Sequence, residues 1–314
     1  MVLWILFLVL IFIICVYVVG QKIYDEQKIK RGQAQLAGKV VLITGSSSGI
    51  GESLAHKFYS CGCKVILAAR RVGELERVRR DLLNTKLSNG IQSIRPEIIQ
   101  LDLDELSQLT EKANQILSSS PQIDILINNA GVSMLSGVRT VKPEVDTRVM
   151  NVNYFGTITF TKAFLPSMIE RKQGTIVFVS SIVGRFAFPY CSSYTASKHA
   201  LQAFADCLRS EIADDNIKVV VSSPGFVKTD IIKNALTGSG GFYGVTTPAI
   251  ENGQKPDDCA NDIFRAVLRG DKEIVPMKLI SIVWIRSLFP SIYFKIMYGR
   301  ARAFEARNKV AHIV

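Results

Sequence analysis

From residue 39 onward, short contiguous apolar runs alternate with longer stretches in which apolar positions recur every three or four residues. The runs are KVVLIT (39–44), KVILAA (64–69), EIIQLDL (97–103), IDILIN (123–128), GTIVFVSS (174–181), IKVVVSS (217–223) and EIVPM (273–277). A run apolar at successive positions is a strand covered on both faces, and the intervening helical periodicity supplies the covers. The pattern predicts one α/β domain with a parallel sheet. Residues 226–255 are the least regular stretch and hold Gly238, Gly240, Gly241, Gly244 and Gly253. They follow a strand's carboxyl end, where such sheets bind ligands. They read either as a substrate lid or as a plain surface loop.

Two segments fall outside this alternation. Val2–Val19 is apolar and uncharged, and 18 helical residues rise about 27 Å, close to a bilayer's roughly 30 Å core. The run is longer than a usual signal-peptide core and lacks a charged start, so 1–20 is expected to be a transmembrane anchor. Removal as a signal, leaving a secreted or lumenal protein, is the alternative. Residues 21–36 read as a basic linker; with Lys22, Lys28, Lys30 and Arg31 after the run, the positive-inside rule leads to the expectation that the domain beyond it lies in the cytosol. Beyond 275, the 276–314 extension carries LISIVWIRSLFPSIYFKIMYG (279–299), with Arg300, Arg302 and Arg307 behind it. It could dip into a bilayer, but a dimer face or plain core is the preferred expectation. Pro290 and the charges exclude a second span.

Candidate chemistry lies at two places. KVVLITGSSSGIG (39–51) runs from a strand into a turn with Gly45, Gly49 and Gly51, where a backbone free of side chains approaches a pyrophosphate at a helix amino end. In SYTASKHAL, Tyr194 and Lys198 stand four residues apart, on one helix face, with Ser181 thirteen positions upstream. A cation beside a phenol is expected to lower its pKa toward a value useful for proton transfer.

Seven motifs in order, TGSSSGIG (44–51), Asp102-Leu103, NNAG (128–131), NVNYFG (151–156), VSS (179–181), YTASK (194–198) and PGFVKT (224–229), resemble those of the short-chain dehydrogenase/reductase family across roughly residues 37–275. The stretches at 69–78 and 170–181 and the apolar amino terminus are similar to the member 7 subgroup, relatives of the 11β-hydroxysteroid dehydrogenases. The resemblance implies a Rossmann-like, doubly wound sheet and an oxidoreductase acting on a lipophilic steroid, retinoid or lipid-derived molecule. It implies Tyr194 as general acid/base, Lys198 as its cationic partner and ribose ligand, Ser181 as holder of the substrate oxygen, and Asn153, rather than Asn151, as the link to a water relay. Gly45, Ser46, Ser47, Gly49, Ile50 and Gly51 would face the pyrophosphate side, Asp102 and Leu103 the adenine, Asn129, Ala130 and Gly131 the ribose, and Thr229 the carboxamide. Tyr190, with tyrosine instead of lysine at plus four, is expected as a substrate-pocket wall. A homodimer or homotetramer in the endoplasmic reticulum membrane is a further implication.

Cofactor choice turns on the end of the second strand. NAD-binding chains place a carboxylate there; this one has Ala69, then Arg70 and Arg71. A guanidinium forks onto a 2′-phosphate, so NADP(H) is expected, with Arg70 as ligand and Ser46 or Ser47 as added donors. The net charge is +11, but the cations are scattered without interleaved aromatics, which points to anionic lipid and away from nucleic acid. The six cysteines show neither a disulfide framework nor a metal pattern, and there is no Asn-x-Ser/Thr site. A cofactor-sensing membrane scaffold with little turnover is the other functional class; the intact Ser181, Tyr194 and Lys198 argue against it.

Overall fold

The seven apolar runs form one parallel sheet in the computed structural model, which describes residues 2–87 and 90–310. The strands are β1 (Val40–Thr44), β2 (Lys64–Ala69), β3 (Glu97–Gln100), β4 (Ile125–Asn128), β5 (Gly174–Val179), β6 (Ile217–Ser222) and β7 (Glu273–Ile274), in the order β3-β2-β1-β4-β5-β6-β7. This is the doubly wound, Rossmann-like arrangement expected. In register, Val41 lies between Val65 and Ile125. The strand order reverses between β1 and β4, opening a crevice at the carboxyl ends there.

Strands β3 and β7 are the most shortened, each three residues shorter than its apolar run. The β3 ladder ends because Asp102 turns the chain away, its carboxylate accepting the backbone N–H of Asp104 at 3.1 Å. Strand β7 stops before Pro276, which has no N–H to donate.

Side chains alternate across the sheet, so Val41 and Ile43 enter one core and Leu42 the other. The first core takes Leu54 and Phe58 of α2 (Gly49–Ser60), Leu75 and Val78 of α3 (Val72–Leu83), and Ile263 and Phe264 of the later helix Pro256–Arg269. The second takes Ala113 and Ile116 of α4 (Leu109–Ser119), Phe160 and Phe164 of α6 (Thr157–Glu170), and Leu201 and Leu208 of α7 (Ser192–Glu211). Between α5 (Pro143–Met150) and α6 the chain widens into a π-helical turn, Asn151–Gly156. The short α8 (Pro248–Glu251) and then α9 (Pro256–Arg269) precede β7; α10 (Met277–Leu288) and α11 (Pro290–Val310) end the described chain.

Helix α1 (Val2–Ala34) is continuous, so residues 21–34 are helical. Its segment Phe7–Ala34 is long and apolar enough to cross a membrane, and its apolar window packs against nothing. The carboxyl half instead docks on α9: Ile29 and Leu36 join the first core, Gly32 meets Leu268, and Glu26 pairs with Arg265. Of the extension expected over 276–314, residues 311–314 lie outside the described residues.

Candidate active site

The carboxyl ends of β1, β2, β4, β5 and β6 open into one cavity of about 660 Å³, a size suited to a cofactor and small ligand. At one end is the glycine turn between β1 and α2. Gly45 has φ +67°, and a side-chain carbon there would stand 2.8 Å from the Ala130 Cα. At Gly51 one would meet Asn129 Nδ2 at 2.5 Å. Close passage of the turn against the end of β4 therefore demands glycine at both positions. Asn129 fixes the contact, its Nδ2 donating to the carbonyls of Thr44 (3.0 Å) and Gly45 (3.2 Å). Helix α2 has no side-chain cap at Ser48, leaving amide donors of its first turn for an anion.

Above this turn the end of β2 supplies Arg70 and Arg71, both lining the cavity. Arg71 Nη2 donates to the hydroxyls of Ser47 and Ser48, each at 3.1 Å. Arg71, reached through the serines of the turn, is the guanidinium that reading β2 alone did not single out. Ser47, Ile50, Asp102, Leu103, Ala130 and Gly131 also line the space. Thr229 does too, and its Cγ2 would lie 3.0 Å from a side chain at Gly49. Ser46 does not: it is buried beneath the turn, its hydroxyl directed at the Ala68 carbonyl. Gly49, Gly51 and Asn153 are not among the lining residues either; Gly51 and Asn153 are buried and Gly49 is half-buried.

Further along the wall stand Ser181, Tyr194 and Lys198, gathered from the end of β5 and from α7. Ser181 Oγ accepts the Val183 N–H at 3.4 Å, and the nearby serine favours the ionised form of the Tyr194 phenol. Lys198 Nζ donates to the Val179 carbonyl at 3.0 Å and sits 5.8 Å from the Tyr194 ring centre. The expected depression of the phenol's pKa is not what this environment produces. Burial pushes Tyr194 up to about 12, with Ser181 opposing. Burial also draws Lys198 down to about 8. Desolvation is the largest influence on both groups.

Asn153 sits on the π-helical turn and is fully buried. Its Oδ1 accepts from Val132 N–H at 2.8 Å, while Nδ2 donates to the Val132 carbonyl at 2.8 Å and Ser197 Oγ at 2.9 Å. The amide thus ties the end of β4 to α7. A side chain at Gly131 would come within 3.2 Å of Asn153 Oδ1 and 3.4 Å of Lys198 Nζ, so glycine keeps that space clear. The wide turn leaves no simple periodicity signal; only the NVNYFG motif marked it.

The opposite wall comes from parts of the sequence with weaker signals. Phe226, Ile231, Phe242 and Ile250 enter from 226–255, a stretch held in place by hydrogen bonds such as Leu135 N–H to the Leu236 carbonyl, 2.9 Å. Ile282 of α10 and Met297, Arg300, Ala303 and Phe304 of α11 complete the wall. Tyr190 is not part of it. At φ +65° it turns outward, stacks on Phe304 with ring centres 4.2 Å apart, and donates to Glu305 at 2.5 Å. Phe304, on which it stacks, lines the cavity and Tyr190 does not.

A doubly wound sheet with a glycine turn at its switch point and a Ser–Tyr–Lys wall beyond it defines a nucleotide-dependent oxidoreductase fold. The short chain dehydrogenase family profile matches residues 39–239, and the chain belongs to that family. It is 48% identical over 282 residues to the Anopheles gambiae dehydrogenase/reductase SDR family protein 7-like, spanning 89% of this chain and 88% of that one. Among solved structures, a Burkholderia phymatum short chain dehydrogenase/reductase in complex with NAD superposes with a TM-score of 0.72 at 23% identity, covering 82% of this chain and 96% of that chain. A Shigella flexneri short chain dehydrogenase complexed with NADP gives 0.64 at 26% identity, covering 75% and 93%.

Proposed function

We propose that this protein is a membrane-anchored, NADP(H)-dependent oxidoreductase acting on a carbonyl or secondary alcohol of a lipophilic substrate such as a steroid, retinoid or lipid-derived ketone. The observation that carries this reading is the shared cavity: Arg70 and Arg71 at one end, Ser181, Tyr194 and Lys198 further along, and an apolar wall opposite. Arginines and no carboxylate at the end of β2 favour a cofactor bearing a 2′-phosphate. The Shigella structure with NADP accords with that choice, and the Burkholderia structure with NAD leaves the fold able to take either nucleotide. When bound, the nicotinamide would supply or accept the hydride.

The chain's own residues handle the proton. A phenol held protonated by burial suits Tyr194 to donate to a carbonyl oxygen that Ser181 orients with its hydroxyl. Lys198, with its pKa near 8, is still mostly charged at neutral pH, where it favours the transient phenolate and can return a proton to it. The Gly131 space between Asn153 and Lys198 accommodates the outer end of that transfer. The apolar wall of α10, α11 and 226–255 supports a lipophilic substrate, and α1 supports the membrane setting. NADPH oxidation with a panel of carbonyl substrates tests the reading: Tyr194→Phe is expected to lose at least about 100-fold in turnover. Equal rates in wild type and variant would sink the enzymatic claim in favour of a non-turning-over scaffold.

A further inference from the structure

Helices α10 and α11 have two unlike faces. Tyr293 and Met297 are buried, with Tyr293 donating to the Ala187 carbonyl at 2.6 Å, and this inner face closes the cavity. The outer face exposes Trp284 (60%), Leu288 (62%), Phe289 (57%), Phe294 (65%) and Tyr298 (64%). Aromatic and aliphatic side chains this exposed on adjoining helices form a patch that water covers at a cost.

We propose that this outer face lies in the headgroup region of an anionic lipid bilayer, as a second membrane contact beside α1. Three observations select lipid over another protein. First, residues 277–310 contain seven lysines and arginines, of which Arg300 lines the cavity while Lys278 and Arg302 are exposed, and a single acid, Glu305, which Tyr190 already engages. Anionic headgroups complement such a face, whereas a second copy on a two-fold axis would set like charges against each other. Second, the composition is that of an interfacial segment, with tryptophan, phenylalanine and leucine among basic residues. Third, α1 is docked on α9 from Glu26 onward, so only residues 21–25, about 8 Å of helix, separate the apolar 1–20 run from the domain. A rigid tether that short keeps the domain at the bilayer surface and makes docking effectively intramolecular.

The protein has two tryptophans, Trp4 and Trp284, which allows a test on the full chain without any turnover. Trp4→Phe leaves Trp284 as the sole indole fluorophore. In vesicles of equal parts phosphatidylcholine and phosphatidylserine, lipids brominated near the headgroup end of the acyl chain are expected to quench about half or more of its emission. A Leu288→Glu/Phe294→Glu variant, altered only at exposed positions, is expected to recover that emission. Equal emission in brominated and unbrominated vesicles would overturn the proposal. That holds whether Trp284 is open to acrylamide, as on a free surface, or shielded from it, as between two copies. Quenching unchanged in pure phosphatidylcholine would overturn the choice of an anionic surface.

Discussion

Replacing Arg70 and Arg71 together by alanine removes both guanidinium groups from the β2 end of the cavity and leaves its glycine turn intact. Arg71 is already aimed there by its two 3.1 Å bonds to Ser47 and Ser48, so little ordering remains to be done when a phosphate arrives. A hydrogen bond to a charged group contributes about 1.5–3 kcal/mol. Both arginines are exposed, so solvent screening places each at or below the low end, about 1.5 kcal/mol, or roughly tenfold in affinity. The double variant should therefore bind NADPH about 100-fold more weakly, while NADH, lacking the 2′-phosphate, changes less than about threefold. Titration of cofactor fluorescence with each nucleotide, alongside kcat/KM for both, measures the ratio. A ratio unchanged from wild type would refute the assignment of this end of the cavity to a 2′-phosphate, and the single variants would apportion the effect between the two arginines.

Lys198→Met probes the buried ammonium through pH. Because the native pKa is drawn down to about 8 from the usual 10.5, the unfolded chain binds more protons between these values. Wild-type stability should then rise relative to Lys198→Met as pH climbs from 8 toward 10, followed by thermal melting; a pH-independent difference would contradict the burial effect. Above the ordinary lysine value of 10.5 the difference should level off, since Lys198 is then neutral in the folded and unfolded chain alike. Gly131→Ala should leave the melting temperature within a few degrees and lower turnover, because the added methyl enters the space between Asn153 and Lys198; unchanged turnover would remove that space from the proton path. Ile29→Ala should cost about 2–5 kcal/mol in denaturant titrations if the lower half of α1 is part of the core; a change under about 0.5 kcal/mol would show the α1–α9 contact to be idle.

Much of the fold was legible because strand and helix signals are local. Contiguous β-branched runs such as VVLI and VILA, separated by amphipathic stretches, suffice to predict a parallel sheet, and the Tyr194–Lys198 spacing suffices to put both on one helix face. The glycine positions were readable for the same reason: a turn that must pass close to a ligand admits few other residues. The amino-terminal apolar run was equally plain, since an uncharged stretch of that length stands out by composition alone, and it forms a helix long and apolar enough to cross a membrane.

What escaped the sequence depends on neighbours far along the chain. Sequence gave no means to prefer Arg71 over Arg70, because the choice rests on where the Ser47 and Ser48 hydroxyls lie across the crevice. Tyr190 read as a wall and turned outward; Phe304, more than a hundred residues later, stacks on it and lines the cavity. Even the direction of the Tyr194 shift was decided by tertiary burial: the i, i+4 spacing puts a lysine on the same helix face, but the depth at which the fold places the phenol sets the desolvation that raises its pKa. The sequence by itself thus determined the sheet, the glycine turn and the helix face shared by Tyr194 and Lys198, which follow from local pattern. Only the tertiary structure decided which side chains wall the cavity and how their protons are held, because distance and dielectric are properties of the packed chain.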